Sequence, residues 1–330
     1  MKQSSHSVKW GTSVRVAVLS LSWLVAIAMP VRAVEWPKQI TIVVPFPPGA
    51  SNDTFARIIA QKLGPQLGAT IIVDNKPGAA GSIGAAYVAR SAPNGATLML
   101  ISSSFTGNSA IQPKLPFDPL ASFVAVAQLA KGPMILAVGK DALFNSVAEL
   151  VDAARSEKGK LNFGTAGVGS INHMASELLN AAAKVEMTHV PYRGISNAIT
   201  DLMSGQIQMV IASFPSIAGL MTGGKVRGLA VTSAASSPFA PELPAVSATL
   251  PGYDVDLWWG IFAPAGLPIP MVDQLNQLIR AIIMEPDMRE RFAQEGAVPT
   301  PISSSEFSAI VRADLDKWRK IAQERNIVGN

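Results

Sequence analysis

The sequence contains no cysteine. That excludes disulfides, thiolate metal centres and a thiol nucleophile, and it excludes a lipid anchor of the kind attached to a cysteine at a cleavage site. Histidine is nearly as scarce, with His6, His173 and His189 the only three. There is no H-E-x-x-H pair, no G-x-S-x-G elbow and no cluster of histidines and acids with metal-ligand spacing. The sequence therefore implies neither a metal nor a cofactor. Charged residues make up only 15% of the chain, and no run after residue 33 is long enough, free of charge, proline and glycine, to span a bilayer.

Charge of one sign is unevenly placed. The net charge of +4 comes from 27 basic and 23 acidic residues. Residues 1–33 hold Lys2, Lys9, Arg15 and Arg32 and no acid, so the remainder is neutral. A clustered basic surface for nucleic acid is not expected. The same 33 residues have a cationic start, an apolar run over 16–29, and Val31-Arg32-Ala33 in the place of a cleavage site. This is the layout of a cleavable secretory signal peptide, and the apolar run is shorter than the roughly 20 residues a spanning helix needs. The expected product is an exported, periplasmic chain, a monomer stabilised by core burial alone and long enough for two domains.

What the chain does have is alternation. Apolar runs at 40–44, 70–73 and 97–101 are separated by helical patterns, and a second set follows at 161–163, 187–190, 208–212 and 226–232. Continuous apolar strands between helices predict mainly parallel sheets with both faces covered. Ser146-Val147-Ala148-Glu149 and Ser303-Ser304-Ser305-Glu306 are capping boxes that open helices, and Pro286 stops one. The fold class is α/β in two lobes: 34–135 as the first part of domain 1, 136–257 as domain 2, and 258–330 as a return segment whose helices complete domain 1. The chain then crosses between domains near 133–138 and 258–263, which makes a hinge.

In open α/β sheets ligands bind beyond the carboxyl ends of the strands. That rule selects loops 45–53, 74–81 and 102–108 in the first domain and 164–170, 191–197 and 213–215 in the second. They are rich in Gly, Pro, Ser, Thr and Asn, and several run straight into helix N-termini, whose free N–H groups and partial positive charge suit a carboxylate. Turn chemistry alone explains any one of these loops; six at one sheet edge ask for more. Gly78-x-x-Gly81-x-x-Gly84 lacks the Gly-Lys-Ser/Thr ending of a phosphate loop. His173, three residues after Ser170, is read as capping or packing rather than catalysing. Asp53 is read as supporting the first helix, with direct ligand contact the alternative. Arg193 is either an anion partner or a solvated loop cation, and Trp258 and Trp259 either pack the hinge or stack on a ligand. Gly49 and Gly194 are expected to need positive φ or close approach of backbone to ligand.

The chain carries Pro45-Phe46-Pro47-Pro48-Gly49 with Asp53 and Ala56-Arg57, then Asn75-Lys76-Pro77-Gly78-Ala79-Ala80-Gly81. Gly164-Thr165-Ala166-Gly167-Val168-Gly169-Ser170, Val190-Pro191-Tyr192-Arg193-Gly194 and Ala263-Pro264-Ala265-Gly266-Leu267-Pro268 follow in order. Together they resemble the tripartite tricarboxylate transporter receptors, the Bug family of extracytoplasmic binding proteins. The resemblance implies a two-lobed periplasmic-binding-protein (type II) fold, no catalysis, and delivery of a small mono- or dicarboxylate to membrane permease subunits or to a signalling partner. It implies a carboxylate gripped by the loop after the first strand and by the Tyr-x-Gly loop of domain 2. The site residues expected are Phe46, Pro48, Gly49, Ala50, Ser51, Asn52 and Asp53, with Ser103 and Ser104. From domain 2 come Thr165, Ala166, Gly167, Ser170, His173, Tyr192, Gly194, Asn197, Ala198, Ser213 and Phe214. The sequence departs from the usual pattern at Ala50-Ser51-Asn52, where a second glycine is common. It also has Ser213-Phe214-Pro215 where an acid is frequent, which argues against an amino-acid ligand. Phe46, Phe105 and Phe214 leave room for an aromatic carboxylate of the phthalate type. The alternative from another class is an exported α/β hydrolase using Ser170.

Overall fold

The computed structural model describes residues 1–3 and 35–329; the expected signal peptide lies outside the described residues but for its first three. The chain from Trp36 onward is one compact unit. It begins with β1 (Gln39–Val44), α1 (Ser51–Leu67), β2 (Thr70–Asn75), α2 (Ser82–Ala89), β3 (Thr97–Ser102) and α3 (Ser104–Ile111). The long strand β4 (Phe123–Gly139) leads to α4 (Val147–Ser156), β5 (Asn162–Thr165), α5 (Ile171–Ala183), β6 (Thr188–Pro191) and α6 (Ile195–Met203). Then come β7 (Met209–Ser213), α7 (Phe214–Thr222), β8 (Val226–Val231), β9 (Asp256–Pro264), α8 (Ile269–Ile282), α9 (Pro286–Gln294), β10 (Val298–Pro299) and α10 (Ser304–Glu324).

Two sheets result. In the first lobe β2, β1 and β3 are parallel, β9 runs antiparallel beside β3, and β4 runs antiparallel beside β9. In the second lobe β6, β5 and β7 are parallel, and β4 lies between β7 and β8, antiparallel to both. β4 thus belongs to both sheets, pairing with β9 as far as Pro133 and with β7 from Met134. β3 is almost wholly buried and β1 is buried at Ile40 and over Ile42–Val44, as their apolar runs require.

The first crossing follows a glycine that cannot be replaced. A Cβ on Gly132 would collide with the Gly296 carbonyl oxygen, so only glycine fits the strand just before the switch. The return crossing comes earlier than residues 258–263, which pair with β3 and β4 inside the first sheet. It falls at Val255, whose N–H still bonds to Thr232 in the second lobe, and Asp256, already opposite Pro133. Trp258 and Trp259 are core residues. The Trp258 indole donates to Asp314 at 3.1 Å, and Trp259 meets Phe55 edge-on with ring centres 5.2 Å apart.

Helix ends follow capping chemistry. Ser146 Oγ accepts the Glu149 N–H, but the Glu149 carboxylate takes the Asn145 N–H rather than closing the box on Ser146. Ser303 and Glu306 form a complete capping box on α10. Pro286 both follows α8 and occupies the first position of α9, where its missing N–H costs nothing. Sequence alone places residues 304–324 on the first lobe, yet α10 serves both. Phe307 and Val311 join the first-lobe core, while Trp318, Ile321 and Ala322 join the core of the second.

Candidate functional site

Asp53 organises the loop after β1. Its carboxylate accepts the Gly49 N–H at 3.0 Å, an Asn75 amide N–H at 3.0 Å and two guanidinium contacts from Arg57 at 2.9 and 3.0 Å. Asn75 also donates to the Phe46 carbonyl at 3.1 Å. The hydrogen bond from Arg57 leads the causes that hold the Asp53 pKa below the usual carboxylate value. With both oxygens engaged, Asp53 holds the loop in shape. Gly49 has φ of +90°, the left-handed side that glycine favours. Ala50 then starts the 17-residue α1 with no side-chain cap, beside exposed Pro48. Ser51 donates to Glu295 at 2.7 Å, which ties the loop to the end of α9.

Three buried polar atoms on the first-lobe loops have no hydrogen-bond partner among the described residues: Asn52 Oδ1, Ser103 Oγ and Asn108 Oδ1. Asn52 starts α1, Ser103 precedes α3, and Asn108 lies within α3. Orphaned buried polar atoms are costly, and Gln128, Arg291, Thr300 and Trp318 carry others away from these loops. Ser104 is half-buried beside Ser103. Residues 104–108, read from sequence as a loop, are the first turns of a helix. Phe105 is 3% exposed and packs on Phe117, Phe123 and Phe262, so it is a core residue and offers no ligand surface.

In the second lobe the loop after β5 is wired from below. Thr165 Oγ1 accepts the Gly167 N–H at 3.1 Å and pairs with His189 Nε2 at 2.7 Å. His173 Nδ1 accepts the Gly169 N–H at 3.2 Å. Ser170 caps α5 and donates to the Gly167 carbonyl at 2.7 Å. Thr165 and His173, both expected at the ligand, thus spend their polar atoms on loop geometry. Gly167, at φ +111°, brings this loop against the Tyr192 carbonyl, with Ala166 half-buried beside it. Tyr192 bonds Asp201 at 2.7 Å, and Gly194 then starts α6 with no side-chain cap. Gly194 does not need positive φ: at φ 176° its backbone is extended, and no protein atom lies near an added Cβ. Asn197 is exposed on the first turn of α6, whereas Ala198 is fully buried in the lobe core and presents no side chain to a ligand. Ser213 Oγ bonds Ser216 Oγ at 2.8 Å, and Phe214, the first residue of α7, packs on Phe239 and against Gly296.

The two lobes meet at these loops. A Cβ on Gly169 would stand 3.3 Å from Asn108 Oδ1, and one on Gly107 would stand 3.1 Å from the Gly169 carbonyl. Asn108 falls in loop 102–108, selected from the sequence, but nothing in its residue type marked it for the site. Its amide bonds to Ala80 and Ser82, which became visible only once α2 and α3 were side by side. Among the described residues there is no group of His, Asp and Glu that could hold a metal, and no helix long and apolar enough to cross a membrane.

Known proteins share this architecture. A protein from Pseudomonas sp. (strain P51), described as a UPF0065 protein in the tcbD-tcbE intergenic region, is 37% identical over 92% of this chain and 89% of its own length. The solved structure of R. palustris Rpa4515 with adipate matches with a TM-score of 0.77 and 32% identity, covering 89% of this chain and 99% of that one. Periplasmic binding protein BugD matches with a TM-score of 0.74 and 29% identity over 89% of this chain and 100% of its own. Residues 55–327 match the family described as the tripartite tricarboxylate transporter family receptor. The chain belongs to that receptor family.

Proposed function

We propose that this receptor, exported by removal of residues 1–33, works in the periplasm. It captures a small carboxylate between its lobes and delivers it to the membrane permease subunits of a tripartite transporter. The carrying observation is that each lobe offers an uncapped helix start beside its loops, α1 after Gly49 and α6 at Gly194. Such termini hold a carboxylate through N–H groups without a dedicated cation. The Rpa4515 structure with adipate supports an acid as ligand, and BugD supports the compartment. Ser170 is the cap of α5 rather than a nucleophile, in keeping with a receptor that is not an enzyme.

A thermal-shift screen of mono- and dicarboxylates tests the reading. A ligand at 100 times its Kd should stabilise the folded state by about 2.7 kcal/mol. Small-angle scattering with that ligand should show compaction, because only closed lobes bring both helix starts to one carboxylate. A screen in which no carboxylate raises the melting temperature would remove the proposal.

A further inference from the structure

The turn between α9 and β10 touches both lobes and the strand that joins them. Glu295, the residue that ends α9, accepts the Ser51 hydroxyl at 2.7 Å, and Ser51 is the first residue of α1. Gly296 follows, buried and with φ of +66°. A Cβ there would collide with Phe214, the first residue of α7 in the second lobe. The Gly296 carbonyl in turn fills the place where a Cβ on Gly132 would fall, just before β4 changes sheets. The rest of the loop after β1 is held from its own side, since Asp53 gathers Gly49, Asn75 and Arg57, all of the first lobe. The Ser51–Glu295 bond leads toward the second lobe.

Glu295 is not explained by its own helix. An acid at a helix end meets the negative pole of the dipole, so α9 alone would favour a neutral or basic residue there. Its carboxylate has no ion-pair partner among the described residues. What it meets is the start of α1, which lacks a side-chain cap and whose partial positive charge favours an acid. Ser51 and Glu295 are both half-buried, which limits the competition of water for their bond. Gly296 then carries the contact onward through backbone alone, without a flexible side chain to absorb movement.

We propose that Glu295 is a positioning residue for ligand capture, and that the Glu295–Gly296 turn is a strut setting the start of α1 against the start of α7. The loops after β1 and β7 then move together when the lobes close. A ligand held at the start of α1 acts on the second lobe through Ser51, Glu295, Gly296 and Phe214 as well as through the crossing strands. The role in capture rests on the carboxylate-receptor reading above; the strut itself does not.

Hydrogen–deuterium exchange on the ligand-free protein tests the strut. Glu295→Ala and Ser51→Ala should each speed exchange about three- to tenfold in residues 54–58 of α1 and also in residues 217–221 of α7. Glu295→Gln, which keeps an acceptor for Ser51, should exchange within about twofold of the unaltered protein. A merely local hydrogen bond moves only the α1 segment, and that result overturns the strut, as does no change in either segment. Calorimetry with adipate and terephthalate as probes extends the test to capture. Each alanine variant should weaken binding about three- to tenfold, and the double variant should be no weaker than either single one, because both remove the same link. Additive losses, or single variants that bind like the unaltered protein, overturn the positioning role. If neither acid binds, the carboxylate reading fails, while the exchange rates still decide the strut.

Discussion

The imidazole of His173 stacks on that of His189 with ring centres 3.9 Å apart and planes 20° from parallel. Burial holds both rings neutral, lowering each pKa from 6.5 to about 4, and for His189 the neighbouring ring adds to the effect. Neutrality is what the loop after β5 needs, because His173 can accept the Gly169 N–H only while Nδ1 is unprotonated. Its other nitrogen faces Glu177 at 3.8 Å, and Glu177 is paired with Arg325 at 2.8 Å.

A pH dependence follows. The unfolded chain takes up protons on these histidines below about pH 6.5 and the folded chain does not until about pH 4. Stability is therefore full above pH 6.5 and falls as the pH drops through that window, by about 1.4 kcal/mol per unit for each proton. Urea titrations between pH 7 and 4.5 should show the fall. His189→Phe should flatten the slope, and an equal slope in that variant would remove the pair as its cause.

A second prediction concerns Asp53. Asp53→Ala leaves the Gly49 N–H, Asn75 and Arg57 without their shared acceptor. The loop should lose its shape more than the protein loses its stability, since Arg57 is half-exposed and can be solvated. Losing the charge-assisted contact from Asp53 to the Gly49 N–H should weaken ligand binding by about 1.5–3 kcal/mol, roughly ten- to a hundredfold. Calorimetry beside a melting curve separates the two effects.

A third lies at the crossing. Thr232 Oγ1 accepts the Met134 N–H at 2.8 Å and donates to the Val255 carbonyl at 2.7 Å, joining the two strands that pass between lobes. All of this is buried. Thr232→Val keeps the shape and orphans both backbone groups, and should cost about 1–3 kcal/mol. Thr222→Val, at an exposed position, should cost far less in the same denaturation experiment.

What the sequence disclosed, and what it hid, divides on physical lines. Apolar runs marked β3 and β7 because a strand covered on both faces must be apolar throughout, whereas β2 and β6, apolar in sequence, lie at sheet edges and stay partly exposed. Ser146 and Ser303 marked helix starts because a cap is a local interaction. The starts of α3 and α7 went unread, since Ser104 and Phe214 follow strands with no turn residue between. Roles that depend on distant partners were also hidden. Nothing near Thr165 in sequence says that its hydroxyl meets His189, nor does anything near Trp318 place it in the second-lobe core. Gly49 and Gly194 look alike in sequence; only backbone geometry separates φ +90° from 176°.

That separation gives the last prediction. If helix-start N–H groups hold the ligand carboxylate, loop geometry should matter more than the exposed Arg193 next to Gly194. Gly49→Val puts a β-branched residue at a φ that it resists, and the adjoining α1 start must shift. Gly167→Val does the same at φ +111°, against the Tyr192 carbonyl. Each should weaken binding tenfold or more, about 1.4 kcal/mol or above. Gly194→Ala should be tolerated, because its backbone is extended and its Cβ would meet nothing. Arg193→Ala should weaken binding only a few-fold, as expected for an exposed, screened charge. Calorimetry on the four variants, each first shown to be folded, ranks them. Should Arg193→Ala abolish binding while Gly49→Val and Gly167→Val bind normally, the cleft holds its anion with a cation and the helix starts are only architecture.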